Sequence, residues 1–192
     1  MERASAKIVS SEDERLILVD EDDNQTGLLC KAECHDGDGI LHRAFSIFLF
    51  NDRGELLLQQ RADGKRLWPL YWSNTCCSHP REGETVAEAA RRRLDDELHT
   101  GGELEFVYKF VYRARFGDLG SEYELCHVFL GRTEDRAVPN PTEIHAIRFL
   151  SAAALEDELA SSGGTFTPWF RMEWERLRGE FGEQLARYTS PR

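Results

Sequence analysis

One amphipathic helix constrains the fold of this chain more than any other feature of the sequence. Thr85 and Glu88 have the spacing of a capping box, which predicts that a helix begins there. Apolar residues then recur at four-residue steps: Val86, Ala90, Leu94 and Leu98. This spacing places them on one face, which has to be buried against another layer of structure. The segments around the helix must therefore supply that layer.

Apolar runs on both sides of the helix predict the strands of a sheet. They are Arg15–Val19, 45–50, 55–60 and 72–77 before the helix, and Leu104–Phe116, 122–130 and Ile144–Leu150 after it. The turn-forming residues 51–54 predict a hairpin between the second and third runs, and residues 117–120 predict another. The acidic residues 20–24 and Gly27 are interpreted as the end of the first strand.

Two more helices are predicted near the end of the chain. Ser151 can cap a short helix that runs to Leu159, and Thr167 and Pro168 suit the cap and first position of a longer one. The apolar stripe of the longer helix consists of Phe170, Trp174, Leu177, Phe181 and Leu185. Strands interrupted by one central helix indicate an α+β domain with helices packed outside the sheet. We expect one domain over residues 1–192, of which about 1–12 form a loose arm.

An excess of acidic residues limits the partners of the chain. The net charge of -11 opposes binding to nucleic acid or to an anionic membrane surface. The first residues lack the apolar core of a signal peptide, and no apolar run approaches membrane-spanning length. The five cysteines lack the spacing of a disulfide framework, so we expect reduced thiols and a cytoplasmic location. An anionic substrate would require local cations or metal ions.

Three histidines and two glutamates form a candidate metal site. His35, His42 and His79 stand in short or charged segments rather than on apolar faces. Glu122 and Glu124 are two residues apart in a predicted strand, so their side chains point to the same side. A lone histidine is more often structural, and the glutamate pair alone favours a solvated surface. Together the five residues have the chemistry of a site for a divalent cation.

Cys77 is a candidate for chemistry of a different kind. It follows a short predicted strand within the polar, turn-rich stretch 74–80, an unusual place for a cysteine that only packs. A nearby cation or metal would favour its thiolate, and a half-buried inert thiol is the alternative. Cys76 alternates to the opposite side of the strand and is expected to be inert.

The central helix resembles a degenerate Nudix box, the signature that holds divalent metal against a diphosphate. Four positions match it: Glu84, Arg92, Leu94 and Glu97. Four positions differ: Ser78 and His99 replace glycines, while Arg93 and Asp96 replace glutamates. A Nudix hydrolase uses its clustered glutamates to bind several metals and activate water, so the differences weaken that prediction.

The chain resembles the type 1 isopentenyl-diphosphate isomerase family, a branch of the Nudix superfamily, from the first strand to the last helix. The segments that carry the resemblance are 41–45, 72–80, 112–114, 122–124 and 167–169. The Nudix box of that family departs from the signature in similar ways. The resemblance implies a Nudix-like mixed sheet domain with a central Nudix-type helix and flanking C-terminal helices.

The resemblance also implies a role for each candidate residue. Cys77 and Glu124 would transfer protons. Tyr112 would hydrogen-bond to Glu124, and Trp169 would face a cationic intermediate. The ligands of a tightly bound divalent metal (Mn²⁺, Zn²⁺ or Mg²⁺) would be His35, His42, His79, Glu122 and Glu124. The groups that bind diphosphate would be Lys31, Arg61, Lys65 and Arg93, together with a Mg²⁺ ion that Glu97 helps to hold.

The implied activity interconverts isopentenyl diphosphate and dimethylallyl diphosphate, which are isoprenoid precursors. We expect the partner to be this small molecule and the protein to be a monomer or a weak homodimer. A Nudix hydrolase of a nucleoside diphosphate derivative is the main alternative, and a catalytically silent diphosphate-binding module is another. A lid should exclude water from the cation, and its candidates are the N-terminal arm and the regions around Trp68 and Trp169.

Overall fold

The computed structural model describes residues 8–134, 136–161 and 165–192, so residues 1–7 of the expected arm lie outside it. Its strands are β1 (Arg15–Val19), β2 (Gln25–Cys30), β3 (His42–Phe50), β4 (Leu56–Arg61), β5 (Trp72–Ser73), β6 (Cys76–Ser78), β7 (Leu104–Phe116), β8 (Gly120–Arg132) and β9 (Ile144–Leu150). Its helices are α1 (Lys31–His35), α2 (Val86–Leu98), α3 (Ala152–Ser161), α4 (Pro168–Glu180) and α5 (Gly182–Thr189). None of these described helices is long and apolar enough to cross a membrane.

A mixed sheet is built around β3. This strand runs antiparallel to β1 and β6 but parallel to β8, and β8 pairs along its length with β7 in an antiparallel hairpin. β4 pairs with β5 and β9. The predicted α+β class with a mixed sheet is therefore confirmed, as is the hairpin across residues 117–120.

The predicted hairpin between β3 and β4 forms, but its two strands pair over a short length. The turn itself is present, and in it the backbone N–H of Asn51 donates to the carbonyl of Glu55 at 3.0 Å. Beyond the turn the two strands pair only at Phe50 and Leu56 and then diverge. β3 finds its long partner in β8 and β4 finds its own in β9, so non-local pairing prevails over the local turn.

The alternation of β3 divides its side chains between two apolar clusters. Phe45 and Ile47 pack with the buried face of α2 on one side of the sheet. Phe48 points to the other side, where Phe170 and Trp174 of α4 stack with its ring. Since side chains of a strand alternate between faces, the sheet lies between α2 and α4.

The central helix is capped as its sequence predicts. The side chain of Thr85 accepts from the backbone of Glu88, and the Glu88 carboxylate accepts in return from the backbone N–H of Thr85. The helix ends at His99, which adopts a left-handed conformation with φ of 46°. At this position a histidine thus adopts the left-handed conformation that usually favours glycine.

Three further elements depart from the predictions. Gly27 does not end the first strand region but lies inside β2, a strand that the sequence did not predict, and the five-residue α1 was also missed. The last predicted helix is interrupted at Phe181. The backbone of this residue is not helical, with φ of -123°, so α4 ends before it and α5 begins after it. Thr167 is the N-cap of α4, but its hydroxyl lies 2.9 Å from that of Ser73 instead of capping the helix.

Candidate active site

The five candidate metal ligands come together at one end of the β3/β8 pair. His42 of β3 lies beside Glu124 of β8, and Glu122 precedes Glu124 on the same face. His35 ends α1, and His79 follows β6. One ligand atom from each of these residues lies within 4.8 Å of all the others.

A glycine allows α1 and β8 to approach closely enough to form this group. Gly120 begins β8, and a Cβ atom at this position would collide with the carbonyl oxygen of His35. Because only glycine lacks that atom, the backbones can meet here and bring His35 to Glu122. The contact between His35 Nε2 and Glu122 Oε2 is 2.7 Å.

Hydrogen bonds to the backbone orient two of the imidazole rings. His35 Nδ1 lies 2.7 Å from the carbonyl oxygen of Lys31, and His42 Nδ1 lies 2.7 Å from that of Ile40. A carbonyl can only accept, so Nδ1 carries the proton in both rings and a neutral ring presents a lone pair on Nε2. This is the arrangement by which proteins prepare histidine to bind a metal ion.

The Nε2 atoms converge with the two carboxylates. His79 Nε2 lies 3.2 Å from His42 Nε2 and 3.0 Å from Glu124 Oε1. Glu122 Oε2 has no partner with hydrogen-bond geometry among the described residues, despite its short distance to His35 Nε2. Imidazole nitrogens and carboxylate oxygens that direct lone pairs at one buried point cannot satisfy one another by hydrogen bonds. A shared cation would satisfy them. The described residues thus include a group that suits a divalent metal.

Burial and charge act in opposite directions on the ionisable groups of this cluster. Burial lowers the pKa of His79 to about 4, so its ring is neutral at pH 7. For His35, burial also opposes the charged form, but the Glu122 carboxylate prevails and raises its pKa to about 9. Burial would raise the pKa of Glu124, yet the neighbouring rings of His42 and His79 hold it well below its usual value. Glu124 is therefore a carboxylate.

Tyr112 holds the other oxygen of Glu124. Its hydroxyl donates to Glu124 Oε2 at 2.6 Å. Burial, and then the charge of Glu124, raise the pKa of this phenol well above its ordinary value, so it remains a donor. Glu124 thus connects the histidine cluster to the pocket next to it.

Cys77 lies on the same pocket, on the α4 side of the sheet. Burial raises the pKa of its thiol to about 12, with the charge of Arg61 opposing the rise, so the thiol keeps its proton at neutral pH. Cys76 points to the α2 side and is fully buried there. The predicted difference between the two cysteines is confirmed in their placement.

Lysine and arginine side chains also line this pocket. Lys65 forms an ion pair with Glu143, and Arg93 lies 3.2 Å from the same carboxylate oxygen. Lys31 donates to the hydroxyl of Ser10 at 2.7 Å, and its pKa is lowered by burial and by the charge of Lys65. These cations offset the acidic surface of the chain locally.

Arg61 is bound from several sides. It donates to the carbonyl oxygens of Trp68 and Leu67 at 3.1 and 2.9 Å, and its Nη1 lies 4.0 Å from Cys77 Sγ. Its guanidinium stands 5.2 Å from the ring centroid of Trp169, which packs edge-on against Trp68. Trp68 has φ of 47°, a strained conformation for a bulky residue that these contacts maintain.

These groups share one cavity of about 630 Å³ that opens to solvent. Eleven of the candidate residues line it: Lys31, His35, Arg61, Lys65, Cys77, His79, Arg93, Tyr112, Glu122, Glu124 and Trp169. The cavity thus combines a thiol, cations, an aromatic wall and the group of candidate metal ligands described above, which we call the metal-type cluster or group.

Comparison with known proteins agrees with this geometry. The NUDIX domain model matches residues 40–170. The isopentenyl-diphosphate delta-isomerase 1 of Photorhabdus laumondii is 42% identical over 175 residues, which cover 90% of this chain and 99% of that protein. The isopentenyl-diphosphate delta-isomerase of Burkholderia multivorans is 44% identical over 164 residues, 85% of this chain and 93% of that one.

The chain belongs to the isopentenyl-diphosphate delta-isomerase family of NUDIX proteins. Solved structures agree on the fold. A Deinococcus radiodurans protein has a TM-score of 0.66 at 22% identity and covers 91% of this chain and 99% of its own. A MutT NUDIX hydrolase of Burkholderia pseudomallei has a TM-score of 0.55 at 19% identity and covers 71% and 98%.

Two of the candidate site residues of this isopentenyl-diphosphate delta-isomerase family member do not line the cavity. His42 is fully buried behind the lining but belongs to the metal-type group. Glu97 is buried beside Arg93, whose Nε donates to it at 2.8 Å, and it also accepts from the thiol of Cys76 at 3.5 Å. Among the described residues, Glu97 therefore contacts Arg93, which lines the cavity, but does not line the cavity itself.

Sequence reasoning missed two acidic groups of this family member's cavity. Glu143 precedes β9 and is buried between Lys65 and Arg93. Glu12 lies 3.6 Å from Lys31, within the part of the expected N-terminal arm that the structure describes. Neither residue stands in a recognisable spacing, and a single carboxylate among the many acidic residues of this chain gives no signal of its own.

Proposed function

We propose that this chain interconverts isopentenyl diphosphate and dimethylallyl diphosphate by adding one proton and removing another. The observation that carries the proposal is that Cys77 and Glu124 line one cavity together with other candidate metal ligands and with four cations. The relatives named as isopentenyl-diphosphate delta-isomerases support the same reaction. The proposed partner is thus a small diphosphate.

The chemistry of the reaction explains why two proton-transfer groups are needed. A proton added to the terminal carbon of the alkene gives a tertiary carbocation. Loss of a proton from the methylene next to that cation forms the new double bond. One side chain supplies the first proton and a second one receives the other, after which solvent restores both.

Cys77 and Glu124 are the proposed pair. Around neutral pH the buried Cys77 thiol carries a proton and the Glu124 carboxylate does not, so the cavity contains both a donor and an acceptor. Tyr112 fixes Glu124 through its 2.6 Å hydrogen bond. Proton transfer requires this kind of orientation as well as a suitable pKa.

The residues that would hold the metal are His35, His42, His79, Glu122 and Glu124. Three imidazoles with two carboxylates suit Zn²⁺ or Mn²⁺, and Mg²⁺ is a third candidate. When bound, such an ion would orient Glu124 towards the substrate.

The cations Lys31, Arg61, Lys65 and Arg93 are the proposed contacts of the diphosphate. Their charge is partly balanced by Glu12, Glu97 and Glu143. A diphosphate would add more negative charge to this region, which favours its entry together with Mg²⁺. Glu97, beside Arg93, is the proposed carboxylate for that second ion.

The aromatic wall has a proposed role in protecting the carbocation. Trp169 can present its π-face to positive charge, as its contact with the Arg61 guanidinium illustrates. Trp68 packs on Trp169 and on Phe116, at 5.2 and 5.0 Å between ring centroids. These rings exclude water from their part of the cavity, and water would otherwise convert the cation into an alcohol.

Isomerisation in D₂O tests the proposal. Purified protein with divalent metal and isopentenyl diphosphate should yield dimethylallyl diphosphate that carries deuterium in its methyl groups, without release of phosphate. Release of phosphate or of a monophosphate, with unlabelled carbon, would replace the isomerase by a NUDIX hydrolase.

Matched variants assign the reaction to the cavity. Cys77→Ala and Glu124→Gln should each abolish label incorporation, because neither replacement can transfer the proton. Cys76→Ala, which alters the neighbouring thiol on the other side of the sheet, should remain active. Equal activity of the Cys77 and Cys76 variants would remove Cys77 from the proposed pair.

A further inference from the structure

Glu173 is a buried acid that the proposed reaction does not use. It lies on α4, one helical turn after Trp169, and its side chain is fully shielded from solvent. Carboxyl groups are rarely buried without a cation, because removing them from water is costly. Glutamine or methionine would fill the same volume without an ionisable group.

Polar contacts attach Glu173 to the sheet beneath the cavity. The thiol of Cys126 lies 3.4 Å from Glu173 Oε1, to which it donates, and 3.5 Å from the hydroxyl of Ser46. The hydroxyl of Tyr108 donates to the backbone carbonyl of Glu173 at 3.2 Å. β7 and β8 thus each contribute one hydrogen bond to the same residue of α4, and Ser46 of β3 contacts the Cys126 thiol beside it.

The groups that face Glu173 include no cation among the described residues. They are Cys126 and Glu124 of β8, Ser46 of β3, Tyr108 of β7 and Cys77 of β6. Burial, with the charge of Glu124 acting in the same direction, raises the pKa of Glu173 to about 8. The residue is therefore a neutral carboxylic acid at pH 7. Its Oε2 has no partner in the described part of the chain.

We infer that Glu173 is a positioning residue that fixes α4 on the sheet and thereby sets where Trp169 stands in the cavity. Residues four apart lie on the same face of a helix, so a shift at Glu173 is transmitted directly to Trp169. Its effect on rate rests on the proposed isomerase function, whereas its effect on Trp169 does not. An ionised Glu173 would face Glu124 without a compensating cation, so the neutral acid is the form that holds the helix in place.

Two replacements separate polar attachment from mere packing. Glu173→Gln keeps an oxygen that accepts from Cys126 but cannot ionise, and Glu173→Met fills the space without accepting. At pH 7 we expect Glu173→Gln to resemble the wild type. Glu173→Met should lower kcat by about tenfold to a hundredfold, with KM for isopentenyl diphosphate unchanged, because only the wall over the reacting carbons is displaced.

A pH titration of the metal-loaded protein gives a readout that packing alone would not change. Acrylamide quenching of tryptophan fluorescence should increase in the wild type as rising pH ionises Glu173, and kcat should fall over the same pH range. Glu173→Gln should show neither change. Trp169→Phe should lose the fluorescence change, which assigns it among the four tryptophans of the chain.

The outcomes distinguish this inference from the proposed function. If the wild type does not isomerise the substrate but its quenching responds to pH as described, the function fails and the role of Glu173 stands. If it isomerises the substrate while Glu173→Met keeps wild-type kcat and quenching, Glu173 is packing and this inference fails. The inference fails equally if wild type and Glu173→Gln have the same pH profiles.

Discussion

Tyr112 and Glu124 form a 2.6 Å hydrogen bond that leaves only one oxygen of this carboxylate facing the histidines. The other oxygen, Oε1, lies 3.0 Å from His79 Nε2. The carboxylate is therefore held from two sides, by a phenol that stays protonated and by a neutral imidazole. A group held in this way loses little orientational freedom when it reacts.

Tyr112→Phe should lower the isomerisation rate while leaving metal content unchanged. A hydrogen bond to a charged group contributes about 1.5–3 kcal/mol, so full loss of it in the transition state corresponds to about a tenfold to hundredfold lower kcat. The measurements are kcat and bound metal after gel filtration. Tyr123→Phe is the control, since Tyr123 contacts Arg113 instead of Glu124. A Tyr112 variant with wild-type kcat would contradict this prediction.

His79→Ala should reduce metal content and rate together. Removing one ligand weakens the site and frees Glu124 Oε1 from its imidazole partner. Metal per chain is measured by elemental analysis after dialysis against a weak chelator. His127→Ala is a matched control, because His127 pairs with Asp23 outside the metal-type group. Full occupancy in the His79 variant would exclude this residue as a ligand.

Arg93→Glu, which restores the usual Nudix residue, should destabilise the protein without creating a hydrolase. The new carboxylate would be buried beside Glu97 and Glu143, both of which now contact the guanidinium. Breaking a buried ion pair in this way costs about 3–5 kcal/mol. Urea unfolding and a phosphate-release assay test the two parts. Arg92→Glu is the control on the more exposed side of the helix. Phosphate release at enzymatic rates would overturn the second part.

Glu173→Gln should make the metal-free protein more stable than the wild type, by an amount that depends on pH. The folded-state pKa of Glu173 is about 8 and the ordinary value is 4.5, so the folded state holds the proton more tightly. Wild-type stability relative to the variant should decline from about pH 5 to about pH 8 and then level off, by on the order of 5 kcal/mol in total. Urea unfolding at several pH values measures the difference. A constant difference would show that Glu173 does not titrate in this range.

Local signals in the sequence were sufficient for many of the elements. The capping box at Thr85, the alternation that separates Cys76 from Cys77 and the turn before Gly120 all depend on neighbours along the chain. Much of the candidate site followed from the family resemblance, because specific residue types recur in fixed segments. The structure brings these distant segments around one cavity.

Features that depend on non-local contacts were not predictable in the same way. Residues 51–54 form the expected turn, yet β3 pairs over most of its length with β8. The reason is that apolar side chains of these two strands pack in the same buried cluster. Glu143 and Glu173 gain their character from burial beside distant groups. Neither the pKa of Glu173 nor the ion pairs of Glu143 has a counterpart in the local sequence.

The parallel pairing of β3 with β8 also has a consequence for how the chain folds. His42 and Glu124 become neighbours only after the long segment between these strands has been closed, which is an entropically costly and slow type of contact. The unfolded chain therefore has no preformed site, and a divalent ion held by these residues would bind mainly the native state. Added metal should raise the melting temperature in proportion to the logarithm of its free concentration, so the ion would act as a stabiliser of the fold as well as a participant in the site.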